Sequence, residues 1–165
     1  MTTMDRVDCA RQPFFHDPDA PAATVVVPSV FCVVRNAPGD LLLVRRCDSG
    51  TWELPGGQVD VGETAVQTAV RETREETGVS VVVTGLVGLF TDPDHVVRAR
   101  TGTVRQQFVV VCSARPVAGT PRGDGHETSE AAWVAGPDLP AVDLPSPVDG
   151  WVARALADDA GPQLS

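Results

Sequence analysis

Glu72, Glu75 and Glu76 fall within about one helical turn of the stretch RETREETGV, residues 71–79. Carboxylates three and four residues apart on a helix are neighbours and repel by roughly 0.2–0.5 kcal/mol per pair. A chain that keeps such a trio implies a positive charge among them. Hard divalent cations take carboxylate oxygens, and Mg²⁺ combines a few of them with waters and substrate phosphates. Arg71, one turn before Glu75, is positioned to hold that carboxylate from behind. An acidic helix face by itself also describes an ordinary solvated surface. The preceding loop LPGGQVDVGE speaks against that, because Gly56, Gly57 and Gly62 permit tight turns and close backbone approach to a ligand.

The elements that must position these acids follow from pattern and punctuation. A helix is expected from about Glu63 to Thr77, stopped by Gly78 at a position suited to a left-handed cap. At 100° per residue, Val66, Ala69, Val70, Thr73 and Thr77 form the stripe expected to pack on a sheet. The acids then form a second stripe at its border. SVFCVVRN (29–36) is a continuous apolar run expected as a buried strand, and LLLVRR (41–46), after the turn at 37–40, is its expected hairpin partner. Further strands are expected over 79–90, 104–114 and 130–135, a polar loop over 119–125, a Pro- and Asp-rich loop over 136–147, and a terminal helix over 150–159. Strands on both sides of one helix, with a second helix after them, predict an α/β sandwich with a mixed sheet. Residues 1–27 are expected as a leader segment and residues 28–160 as one domain.

The whole chain narrows the partners. With 165 residues, a net charge of −9 and a pI near 4.6, it repels nucleic-acid backbones and anionic membranes at long range. No nucleic-acid polymer and no membrane is therefore expected as a partner; a small anionic substrate needs a local cation. No apolar run approaches the ~18 residues of a membrane span. The opening MTTMDRVDCARQPFF carries early charges and no apolar core of a signal peptide, the pattern expected of a cytoplasmic chain. Cys9, Cys32, Cys47 and Cys112 lack metal-binding spacing and are expected as reduced thiols.

Gly57, Glu63, Arg71, Glu72, Glu75, Glu76, Gly78 and Val79 fit eight of the nine specified positions of the Nudix box, GX5EX7REUXEEXGU, where U is a bulky aliphatic residue. The exception is Thr73 at the first U, which puts a hydroxyl on the expected core face. The chain resembles Nudix hydrolases on this box, and its wider sequence is similar to MutT-like Nudix proteins of actinobacterial type. The resemblance implies the Nudix fold, an α/β/α sandwich around a mixed β-sheet. It also implies Mg²⁺- or Mn²⁺-dependent hydrolysis of a nucleoside diphosphate linked to another moiety X. Glu72, Glu75, Glu76 and the Gly56 carbonyl would be metal ligands. Glu63 would act one step further out or on a second ion. Family members place the general base on a box glutamate or on a distant loop. Here Glu127, six residues before Trp133, and Glu130 are the loop alternatives, against an ordinary solvated role for both. Glu72, Glu75, Glu76, Glu127 and Arg71 are thus the expected catalytic set.

Other residues carry weaker signals. His95 is expected to hydrogen-bond in a loop rather than touch phosphate. Trp52 and Phe90 are expected in the core. Arg45, Arg46 and Arg105 are candidate phosphate partners, with Arg45 and Arg46 on opposite faces. Pro93, fourteen residues after Val79, lies near the position of a proline in ADP-ribose pyrophosphatases. ADP-ribose or a nucleotide sugar is therefore the first expectation for the substrate, and a nucleoside triphosphate the second. A nucleotide-sensing domain without turnover is the competing class, and the resemblance leaves room for a homodimer.

Overall fold

The computed structural model describes residues 11–157 and 161–165. Cys9, the first ten residues of the expected leader and positions 158–159 of the expected terminal helix lie outside them. The centre of the molecule is the long strand β8 (Val104–Ala118). On one side it runs parallel to β2 (Val25–Val34), with Val25 opposite Arg105 and Val34 opposite Ala114. On its other side it pairs antiparallel first with β7 (His95–Arg98) and then with β6 (Ser80–Phe90). β1 (Gln12–Phe15) extends the sheet beyond β7, and β5 (Gly56–Gln58) beyond β2. β10 (Gln163–Leu164) adds a short parallel pairing to β6. A second sheet has β3 (Leu41–Arg46) between β4 (Trp52–Glu53) and β9 (Thr128–Val134).

The expected hairpin of 29–36 with 41–46 is not formed. β2 and β3 lie in different sheets and share one isolated bridge, Arg35 to Leu41. The continuous apolar run of β2 explains this: a strand flanked in parallel and covered on both faces needs apolar side chains on each. Phe31 and Val33 point to one core, with Val109, Val111 and the helix α2 (Val148–Leu156). Val30, Cys32 and Val34 point to the other, with Ala69 of the helix α1 (Ala65–Thr77) and Val79. A helix on each face of a mixed sheet is the expected α/β/α arrangement. β2 begins at Val25, inside the segment expected as a leader, and β1 within that segment is paired along its length.

α1 starts on a capping box: Thr64 Oγ1 accepts from the Gln67 amide, and Gln67 Oε1 accepts from the Thr64 amide. It ends at Gly78 with φ of 71°, whose amide donates to the Arg74 carbonyl. Among the described residues, no helix is long and apolar enough to cross a membrane.

Candidate active site

α1 carries the three acids to different depths. Glu76 is 3% exposed, Glu72 is mostly buried and Glu75 has 59% of its side chain exposed. The face packed on the sheet is Thr68, Ala69, Thr73, Glu76 and Thr77, while Val66 is exposed and Val70 half-buried. The expected stripe is thus rotated, and one acid belongs to the buried face rather than its border. The cause is local: Glu76 Oε2 accepts the Gly56 amide at 2.9 Å, which sets this part of the helix over β5.

The glycines of β5 make that approach sterically feasible. A Cβ on Gly57 would lie 2.3 Å from Glu72 Oε1, and one on Gly56 would lie 2.4 Å from the Val30 carbonyl oxygen. The two glycines therefore bring the strand against Glu72 on one side and β2 on the other.

Arg71 does more than hold Glu75. Its Nε donates to Glu63 Oε1 at 2.6 Å and its Nη2 to Glu63 Oε2 at 2.9 Å. Its Nη1 donates to Glu72 at 2.8 Å and to Glu75 at 3.3 Å, so the expected partner is the most distant of the three. Glu63 also accepts from Thr68 Oγ1 at 2.9 Å. These donors, Arg71 first, hold the Glu63 carboxyl down at about 2. Part of the positive charge demanded by the acidic turn is therefore the chain's own.

The rest must come from elsewhere. Burial is the main influence on Glu76 and pushes it up to about 8, with Glu72 and Glu127 adding repulsion against the Gly56 amide and Arg46. Burial likewise raises Glu72 despite Arg71. A buried acid short of positive partners, beside a second one and a glycine backbone, offers only hard oxygen donors, and this set suits a divalent cation. The box carboxylates are spaced more widely than the ligand atoms of His16, Asp92 and Asp94, which lie within 4.8 Å of one another on the surface.

Glu127 is brought to this site and Glu130 is not. The Asp124 carboxylate accepts the amides of His126, Glu127 and Thr128, fixing the loop. Thr128 Oγ1 donates to the Glu76 carbonyl at 2.8 Å and ties that loop to α1. Glu127 Oε2 stands 4.0 Å from Arg46 Nη1, and its charge acts on both Glu72 and Glu76. Glu130 is exposed opposite Arg45 on β9. Arg45 and Arg46 do point to opposite faces: Arg45 is exposed, whereas Arg46 is buried and gripped by Asp48 through two contacts of 2.9 Å.

His95 is not a loop residue. It opens β7, is 8% exposed and packs edge-on to Phe15 at 5.8 Å. The turn composition of DPD ends one residue before it. Phe90 and Trp52 pack, half-buried, on the core beneath α2. Pro93 is exposed in the turn between β6 and β7. Sequence reasoning missed Arg11, which donates to both oxygens of Glu53 at 2.8 and 2.9 Å. It lines a cavity of about 180 Å³ with Phe15, Phe31, His95 and Trp151. Only the pairing of β1 with β7 brings Arg11 there, and residue type carries no signal of that.

The family model of the NUDIX domain matches residues 26–156 of the chain. The "Putative 8-oxo-dGTP diphosphatase" of Bacillus subtilis (strain 168) is 34% identical over 116 residues, 70% of this chain and 71% of that protein. The "MutT-like protein" of Streptomyces ambofaciens is 36% identical over 106 residues, 64% of this chain and 62% of that one. The crystal structure of a MutT protein from Methanosarcina mazei Go1 superposes with a TM-score of 0.62 at 25% identity, covering 82% of this chain and 95% of that chain. A family match across most of the chain, on a fold that gathers the box acids around a glycine strand, makes the chain a member of the Nudix family of pyrophosphohydrolases.

Proposed function

We propose that the chain hydrolyses a phosphoanhydride bond in a small nucleotide, a nucleoside diphosphate linked to a further group, with Mg²⁺ as its cation and Mn²⁺ as a substitute. The observation that carries this reading is Glu76: a carboxylate 3% exposed, short of positive partners, beside Glu72. Glu72, Glu75, Glu76 and the Gly56 carbonyl would hold the ion, with Glu63 supporting them through Arg71. Such a cation offsets charge on diphosphate oxygens and makes water more acidic. Arg71 keeps Glu72 and Glu75 from splaying apart, because one guanidinium spans both. Glu127 takes the proton of the attacking water. The water oxygen bonds to phosphorus, the bridging P–O bond breaks, and the leaving phosphate departs with the bridging oxygen. No covalent bond to the enzyme forms. The aromatic cavity beside β5 suits the planar ring of a nucleobase. On sequence grounds alone, ADP-ribose or a nucleotide sugar precedes a nucleoside triphosphate.

The test is hydrolysis of ADP-ribose, a UDP-sugar and nucleoside triphosphates with Mg²⁺ in ¹⁸O-water, the products being resolved by mass spectrometry. One ¹⁸O is expected in a phosphate product, with turnover lost on chelation. Binding of every nucleotide without cleavage would make the domain a sensor instead.

A further inference from the structure

Cations gather beside this acidic site in a molecule of net charge −9. Arg11, Arg46, Arg100 and Arg105 line one cavity of about 180 Å³ with Ala99 and Glu127. That volume is below the roughly 300–1,000 Å³ typical of pockets for whole small molecules, and suits one compact group. Arg46 is neutralised by Asp48, and Arg11 by Glu53. Arg100 approaches only the already engaged Asp48, at 3.9 Å. Arg105 has no carboxylate within 4.0 Å among the described residues; its Nη1 donates to the amide oxygen of Gln58 at 2.6 Å. Its Nε is buried without a hydrogen-bond partner. A half-buried guanidinium without a counter-charge is costly, and an anion beside it offsets that cost.

The cavity adjoins the box. Gln58 follows Gly57, and its carbonyl accepts from Arg71 Nη2 at 3.2 Å, so Arg105 and Arg71 grip the same residue. Glu127 on its rim acts on Glu72 and Glu76. All the cations lining it are arginines, whose planar forks fit phosphate oxygens bidentately.

We propose that this arginine pocket receives a terminal phosphate beyond the bond being cleaved, and so selects nucleoside triphosphates over ADP-ribose and nucleotide sugars, whose far ends are uncharged. The proposal rests on the box hydrolysing a phosphoanhydride, and it reverses the substrate order expected from sequence.

The experiment compares wild type, Arg105→Gln and Arg100→Gln in two ways. First, kcat/KM is measured for a nucleoside triphosphate and for ADP-ribose. Wild type should favour the triphosphate, and Arg105→Gln should lower that preference by about tenfold or more, mainly through KM. An unchanged ratio overturns the proposal. Second, binding of inorganic tripolyphosphate is measured by calorimetry, which needs no turnover. Arg105→Gln should bind about tenfold more weakly than wild type. Equal binding overturns the pocket even if the enzyme is active. Absence of hydrolysis of either nucleotide, with tripolyphosphate binding still sensitive to Arg105, would instead overturn the reading of the box. If Arg105→Gln fails to fold, exposed Arg100→Gln decides: a several-fold loss of binding supports the pocket, and no loss overturns it.

Discussion

Glu76 performs two incompatible tasks for a side chain: it is packed against the sheet like a core residue and it carries a carboxylate. Replacing it by Gln keeps an oxygen to accept the Gly56 amide and removes the charge. Glu76→Gln should therefore fold, and in metal-free buffer at neutral pH it should melt higher than wild type, because an acid pushed up to about 8 by burial must take up a proton on folding that the amide does not need. Its kcat should fall roughly 10²–10³-fold, the scale of losing one electrostatic contact to the reacting group. Melting curves and steady-state rates check the two halves; near-normal turnover would contradict the assigned role. Thr73 is the opposite case. The sequence marks it as the one departure from the box, and the structure shows its buried Oγ1 without a partner, yet it touches none of the acids' hydrogen bonds.

At the level of elements, the box was legible because spacing on a helix and adjacent glycines just before it are local facts, although the stretch expected as a loop forms strand β5 at Gly56–Gln58. The stop at Gly78 followed from cap chemistry for the same reason, whereas the start, expected at about Glu63, lies behind the Thr64–Gln67 capping box at Ala65. What was not legible depends on partners far along the chain. The β2–β3 hairpin failed because a continuous apolar run is compatible with any strand neighbour, and the neighbour turned out to be β8, some eighty residues away. The helix face was misjudged because hydrophobicity alone cannot foresee an acid being drawn inward by a backbone amide. The two glycines of β5 give a sharp test of the refined picture. In Gly57→Ala the atoms nearest the new methyl are the movable end of Glu72, so stability should change little while turnover drops by at least about 10²-fold. In Gly56→Ala it meets the Val30 carbonyl, and the fold itself should weaken. Thermal melts of both variants, alongside activity, separate these outcomes.

At the level of the whole molecule, the described N-terminal strand is part of the working structure. It supplies Arg11 to two cavities and Phe15 to the wall around His95. Burial, helped by repulsion from Arg11 and opposed by Asp92, pushes His95 down to about 4 from its usual 6.5. The unfolded chain therefore binds a proton that the folded one refuses between these values. The stability this contributes is complete above pH 6.5 and is lost as pH falls toward 4, with a slope of up to about 1.4 kcal/mol per unit. Urea midpoints measured from pH 7 to pH 4 should drop less steeply for His95→Gln than for wild type.

The antiparallel register that sets Phe31 opposite Gly56 has a further bearing on which changes this protein tolerates. Side chains alternate across β2, so deleting a single residue within 25–34 would exchange the sets facing the two helices. Phe31 would leave the aromatic wall, and Gly56 would slide off its acid, in the same event. Length changes should be purged from β2, whatever the chemistry of the residue removed.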